Sequence, residues 1–174
     1  MASQHTFSDE GWHELQRAQF WHDEKFHREI SRLNTQDRLK HMALHFAKYA
    51  GALQDSPNDD RRTGLIVDTF IIAVSTFNIL NVAIAEKFQF PALDTNRDFK
   101  TRLSIAAGKM AAACEKLDHL EAFPFREVIT NQTAEILASV LKESEQIDLD
   151  LRSAVASRLQ EVKSKALFYA DLIV

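Results

Sequence analysis

The sequence predicts an all-α helical bundle, and three observations support this. Only four glycines and three prolines occur in 174 residues, which leaves few residues suited to the tight turns of a many-stranded β protein. Apolar residues recur every three or four positions in six segments, whereas strict alternation never persists. The most apolar segment, residues 64–88, has no charge from Thr69 to Ala85. We predict one all-α domain, residues 1–174, with about six helices around this buried central helix.

The central segment could instead be a membrane span. However, its uncharged stretch is at the short limit of about 17–25 residues for a span, and it contains several hydroxyl and amide side chains. We therefore predict a core helix and no membrane association. Asp68, Ser75 and Asn78 fall within about 80° of one another around this helix. This polar seam predicts either a hydrogen-bond network between packed helices or a binding site.

Caps and breakers delimit the other predicted helices, which cover residues 9–33, 36–54, 96–121, 125–143 and 147–172. The signals are Ser8 as N-cap, the Asn34-Thr35 break, Pro91, a capping box formed by Thr95 and Asp98, and Pro124. Aromatic residues are concentrated in the first helix. We interpret them as core or dimer contacts rather than as a base-stacking surface.

Composition narrows the functional classes. The net charge is −4 and no cationic run occurs, so nucleic acid is not an expected partner. A single cysteine, Cys114, excludes an internal disulfide framework. The N-terminus lacks a basic start followed by an apolar stretch, and we therefore expect a cytoplasmic protein.

Two polar groups are candidate sites. His41, His45 and Lys48 share one face of the second helix, which suits a metal-binding histidine pair, a phosphate-binding group or a solvated interface. Glu115, Asp118 and His119 point to one side at the end of the fourth long helix. Carboxylates at this spacing suit Mg²⁺ or Mn²⁺, and a solvated, salt-bridged helix end is the alternative.

The second and third helices resemble those of the MazG-like, all-α nucleotide pyrophosphohydrolases. That family carries an ExxE pair on one core helix and an ExxD pair on the next. Residues 41–53 (HMALHFAKYAGAL) resemble the ExxE helix, and residues 65–72 (LIVDTFII) resemble the ExxD helix. The aromatic residues Phe20-Trp21 and Phe26-His27 resemble the segment that precedes the ExxE helix in some members. The resemblance covers residues 20–88. It implies a four-helix core, assembly into homodimers or higher homo-oligomers, and Mg²⁺-dependent hydrolysis of a nucleotide.

The sequence departs from this pattern at the acids. The ExxE positions fall on His45 and Lys48, and the first acid of ExxD falls on Leu65, so that only Asp68 keeps its carboxylate. We therefore assign replacement metal ligands on the fourth helix. The expected catalytic residues are Asp68, Glu115 and Asp118, the substrate-binding residues are His41, His45, Lys48 and Asn78, and the metal ligands are Asp68, Glu115, Asp118 and His119.

These groups are predicted to border one cavity with Asp68 at its floor, because unpaired charges cannot point into an apolar core.

The first functional hypothesis is a protein that binds a nucleotide or another phosphorylated ligand, with altered or lost hydrolytic activity. The second is a non-catalytic homo-oligomeric interaction protein. A third, a di-metal carboxylate bundle, rests on an ExxH step from Glu24 to His27 that has no second copy.

Overall fold

The computed structural model describes residues 7–55, 58–87 and 91–166, and of residues 86 and 87 only the backbone. This part of the chain is helical and contains no strand. Its helices are α1 (Asp9–Phe26), α2 (Arg28–Ser31), α3 (Thr35–Gln54), α4 (Asp59–Leu80), α5 (Ile84–Lys87), α6 (Phe99–Asp118), α7 (Phe125–Gln146) and α8 (Leu151–Ser164). The predicted all-α bundle is confirmed.

Four helices form the core of the bundle. α3 packs against α4 and α6, and α7 packs against the same two helices, so the four close a ring. α1 and α8 pack on the outer side of α4. Phe46, Phe70, Phe77, Leu103 and Leu137 are fully buried between the helices. α4 therefore has neighbours on several sides, as its apolar sequence predicts.

The limits of the central helix differ from the prediction of 64–88. α4 begins earlier because the Asn58 side chain caps it by accepting from the Arg61 N–H at 3.0 Å. It ends at Leu80 because Asn81 adopts a left-handed conformation with φ 53°, which asparagine tolerates better than most residues. α4 is also the one helix in the described ranges that is long and apolar enough to cross a membrane, with a mean hydropathy of 1.7 over 18 residues, 56% buried in the protein.

The first predicted helix, 9–33, is broken at His27, where φ is −130° and ψ is 46°. Its predicted start is correct, since Ser8 accepts a hydrogen bond from the Gly11 N–H at 3.1 Å. No glycine or proline marks the break, and the periodicity of the sequence does not reveal it. The chain turns at His27, and α1 and α2 then border the same cavity.

The remaining helices keep their order but differ at their ends. Asp98 caps α6 alone, by accepting from the Thr101 N–H at 2.9 Å, so the predicted capping box with Thr95 is wrong. α7 starts after Pro124 as predicted and continues to Gln146. Asp150 caps α8, which therefore starts later than predicted. Residues 167–172, the predicted end of that helix, lie outside the described residues.

Candidate functional site

A partly enclosed cavity of about 260 Å³ lies between α1, α3, α4 and α8. Its aliphatic lining comes chiefly from α4 and α8: Ile71, Ile72, Ile79, Leu159 and Val162. Its lining also carries several titratable groups: His22, Asp23, His27, Arg38, His41, His45, Lys48, Tyr49, Asp68 and Arg158. An apolar lining with a few polar groups is typical of small-molecule sites.

α3 supplies a chain of contacts along the cavity. His41 Nε2 lies 3.0 Å from His45 Nε2, and His45 Nδ1 lies 3.1 Å from the Tyr49 hydroxyl. The Lys48 ammonium lies 4.8 Å from the centre of the Tyr49 ring. The sequence predicted this shared face of His41, His45 and Lys48, and the structure confirms that all three line the cavity.

Burial changes the ionisation of this face. It lowers the pKa of His45 to about 4, with a further contribution from the charge of Lys48, and it lowers the pKa of His41 in the same way. Burial also raises the pKa of the Tyr49 hydroxyl. Both imidazoles are therefore neutral at pH 7, and Lys48 supplies the positive charge of this face.

The lowered pKa of His45 predicts a loss of stability in acid. In the unfolded chain His45 takes up a proton near pH 6.5, whereas in the folded protein it does so only near pH 4. Neutral His45 therefore contributes its full share to the free energy of unfolding above pH 6.5, and this share is lost as the pH falls towards 4. A difference of this size corresponds to at most about 3 kcal/mol, and partial exposure reduces our expectation to about 1–2 kcal/mol.

Urea unfolding of the wild type and His45→Leu at pH 7 and pH 4.5 measures this contribution. The wild type should lose more free energy of unfolding than the variant between the two pH values. Equal losses would show that His45 protonates as easily in the folded protein as in the unfolded chain.

Asp68 lines the cavity, but its carboxylate is held by Arg158. Nε and one terminal nitrogen of Arg158 donate to the two carboxylate oxygens at 2.7 and 3.0 Å. This fork-shaped pairing is a strong form of charge-assisted hydrogen bond. It also raises the pKa of Arg158. α8 thus provides the cationic partner of Asp68.

The rest of the polar seam joins α4 to α1. Ser75 donates to Asp23 Oδ2 at 2.7 Å, and Asn78 exchanges hydrogen bonds with Gln16 at 2.9 and 3.0 Å. The network between packed helices is therefore present. Asn78, predicted to bind substrate, does not line the cavity, and its amide is engaged with Gln16.

Glu115, Asp118 and His119 are exposed at the end of α6 and do not line the cavity. Asp118 pairs with Lys40 of α3, and Glu115 lies 3.6 Å from His119. α6 packs on α3 and α7, whereas the cavity lies among α1, α3, α4 and α8. The predicted shared cavity is therefore wrong, and these residues form the salt-bridged helix end that was the alternative.

The predicted metal ligands also do not converge. Across the described residues, one group of His, Cys, Asp or Glu brings three ligand atoms within 4.8 Å of one another, and it consists of His22, Asp23 and His27. It contains neither Asp68 nor the residues at the end of α6. A Mg²⁺ or Mn²⁺ ion bound jointly by Asp68, Glu115, Asp118 and His119 does not fit this geometry.

Two cations of the cavity, Arg38 and Lys48, form no salt bridge within the described part of the chain, although the charge of Arg38 acts on the nearby Asp23 carboxylate. The buried Nε of Arg38 has no hydrogen-bond acceptor among the described residues. Asp23, the other acid of the cavity, has a raised pKa, chiefly because it is buried. In the described ranges, three cationic side chains, Arg38, Lys48 and Arg158, line the cavity with two acids, Asp23 and Asp68, which leaves an excess of positive charge.

Several cavity residues were not singled out from the sequence, among them His22, Asp23, Arg38, Tyr49 and Arg158. His22 and Asp23 belong to no recognisable catalytic or binding motif in the sequence of α1. Arg158 could have been found by asking which cation compensates the carboxylate on the most apolar helix. Its distance of 90 positions from Asp68 along the chain hides the pair.

Comparison with known proteins identifies no relative. No protein-family model, no curated protein and no solved structure matches this chain. The functional argument therefore rests on the residues of the cavity.

Proposed function

We propose that the cavity between α1, α3, α4 and α8 binds a small phosphorylated molecule of about mononucleotide size. The observation that carries this proposal is the pair of cations, Arg38 and Lys48, that border the cavity without a salt bridge in the described ranges, together with the buried Nε of Arg38 that has no acceptor. An unpartnered guanidinium nitrogen in a buried position is costly. A phosphate group would satisfy it and balance the charge of both residues.

The aliphatic lining and the size of the cavity limit which ligands fit. Ile71, Ile72 and Leu159, which line the same cavity as the cations, offer contacts to a base or another flat apolar group. The volume of about 260 Å³ is just below the usual range of about 300–1,000 Å³ for ligand pockets. This favours a monophosphate over a nucleoside triphosphate.

The geometry of the cavity supports binding of a phosphorylated ligand more than it supports the Mg²⁺-dependent hydrolysis that the MazG-like pattern implies. Asp68, the one acid retained from that pattern, has both oxygens occupied by Arg158. A Mg²⁺ or Mn²⁺ site at Asp68 would require Arg158 to move away. We therefore propose a ligand-binding protein in which that hydrolytic activity is altered or lost.

Calorimetric titration with inorganic phosphate, AMP and ATP tests the proposal, in buffer containing a chelator. The wild type should bind AMP more tightly than phosphate or ATP. Arg38→Met and Lys48→Met should each weaken AMP binding about 10–100-fold, because each removes a charge-assisted hydrogen bond worth about 1.5–3 kcal/mol.

Lys109→Met is the matched control, since Lys109 is exposed on α6, away from the cavity. It should bind AMP like the wild type. Absence of binding by the wild type, or equal binding by all three variants, would refute the proposed site. Release of pyrophosphate from ATP with Mg²⁺, abolished by Asp68→Asn, would favour the enzymatic alternative.

A homodimer is the second proposal, and exposed aromatic residues on α1 support it. Phe20 and Trp21 pack edge to face with ring centres 5.4 Å apart, although they are 44% and 57% exposed. Two adjacent exposed aromatic rings are typical of an interface, and a twofold dimer is the commonest assembly. Such a dimer would suit a non-catalytic interaction protein as well as a ligand-binding one.

Light scattering at micromolar concentration should give twice the 19.8 kDa mass of one chain. Trp21→Glu should give the mass of one chain, because a carboxylate would be placed against the apolar interface. Leu44→Glu is the control, since Leu44 is an exposed apolar residue on another helix. A wild type with the mass of a single chain would contradict the dimer.

A further inference from the structure

His22, Asp23 and His27 bring three metal-ligating groups together at the end of α1. One ligand atom from each lies within 4.8 Å of the others. The break of the helix at His27 contributes to this arrangement, because His27 lies at the turn between α1 and α2 rather than on a continuous helix. The group faces the cavity, which all three residues line.

An independent observation points to a ligand at this place. His22 is 4% exposed, and its Nδ1 is buried without a hydrogen-bond partner in the described structure. Buried polar atoms are nearly always satisfied, so an unsatisfied imidazole nitrogen at a cavity indicates a missing partner. A metal ion accepts the lone pair of such a nitrogen directly.

The carboxylate of the group is already oriented. Gln19 donates to Asp23 Oδ1 at 2.8 Å, and Ser75 donates to Oδ2 at 2.7 Å. Each oxygen retains a lone pair, because a carboxylate has about four acceptor sites. Hydrogen bonds to a ligating carboxylate are the usual second layer of a metal site. Gln19 and Ser75 are themselves buried, which fixes their positions.

We propose that His22, Asp23 and His27 bind one divalent transition-metal ion, with the remaining coordination positions open to the cavity. Two imidazoles and one carboxylate suit the ions from Fe²⁺ to Zn²⁺ better than Mg²⁺ or Ca²⁺, which prefer oxygen ligands alone. This site lies in the cavity of the proposed function but does not depend on the binding of a phosphorylated ligand. If both bind, the open positions place the ion beside that ligand.

Titration of chelator-treated, dialysed protein with Co²⁺ tests this inference. Co²⁺ gives visible absorption bands when nitrogen ligands bind it, and Zn²⁺ should abolish these bands by displacement. We expect one Co²⁺ per chain. His27→Ala and Asp23→Asn should each weaken Co²⁺ binding by about 100-fold or more. Loss of a residue that only supports a metal ligand already weakens binding by about 10–100-fold, and loss of a ligand itself should weaken it at least as much.

His119→Ala is the matched control, because His119 lies beside Glu115 on α6 and was the histidine ligand suggested by the sequence. It should bind Co²⁺ like the wild type. His27 is 41% exposed at its side chain, so alanine should leave the fold intact, which far-UV circular dichroism checks. Absence of Co²⁺ bands in the wild type, or equal affinity in His27→Ala, would overturn the inference. Loss of the bands in His119→Ala instead would place the metal on α6.

The same variants separate this inference from the proposed function. Lys48→Met should weaken AMP binding, measured with chelator present, and leave Co²⁺ affinity unchanged. AMP binding without Co²⁺ binding would refute the metal site alone. Co²⁺ binding without AMP binding would refute the phosphate site alone.

Discussion

Phe70→Ala should lower the free energy of unfolding by about 3–5 kcal/mol, the usual cost of removing a buried phenyl ring. Phe70 is fully buried at the middle of α4. Its ring centre lies 5.8 Å from that of Phe7 and 6.1 Å from that of Trp12. The substitution removes the ring that joins α4 to the N-terminal segment and leaves a cavity in its place.

Urea unfolding followed by circular dichroism measures this loss, and Leu44→Ala is the control. Leu44 is 68% exposed on α3, so its truncation should change stability by no more than about 0.5 kcal/mol. A loss below about 1 kcal/mol in Phe70→Ala would mean that α4 is not the centre of the core.

The second large effect concerns the ion pair between Asp68 and Arg158. Arg158→Met should lower the free energy of unfolding by about 2–3 kcal/mol. It leaves the Asp68 carboxylate, which is 20% exposed, without a cationic partner beside the isoleucines of α4. Asp68→Asn should lower the free energy of unfolding by less, about 1–2 kcal/mol, because Arg158 is more exposed and keeps its hydrogen bond to Glu161 at 2.9 Å.

A double-mutant cycle separates the pair from its surroundings. The variant with both Asp68→Asn and Arg158→Met should lose less stability than the sum of the single losses, because no unpaired charge remains. Arg17→Met, at an exposed position of α1, controls for the loss of an arginine. Additive losses would show that the two side chains do not depend on each other.

The pair also explains why the assigned role of Asp68 changes with the structure. Sequence alone shows a carboxylate opening the most apolar helix, and it is compatible with metal binding, phosphate chemistry or a buried ion pair. The role of Asp68 depends on which cation lies next to its carboxylate, and that cation is Arg158, 90 positions later in the chain. The local sequence pattern contains no information about a contact between two such distant residues.

The histidine face shows the opposite case. His41, His45 and Lys48 belong to one helix, so the period of the helix brings them together whatever the rest of the chain does. The structure confirms that they line one cavity. Glu115, Asp118 and His119 share a face for the same reason. Whether that face borders the cavity depends on how α6 packs in the bundle, and α6 packs on α3 and α7, away from the cavity.

The sequence by itself determined the helical class, the order of the long helices and the apolar central segment, because these follow from composition, capping residues and a period of 3.6 residues. Tertiary structure decided where the helices meet. It placed α1 and α8 on α4, broke the first helix at His27, and brought Arg38, Asp23 and Arg158 to one cavity. Contacts between distant segments depend on side-chain packing across the whole bundle, and that is why only the folded chain reveals the site.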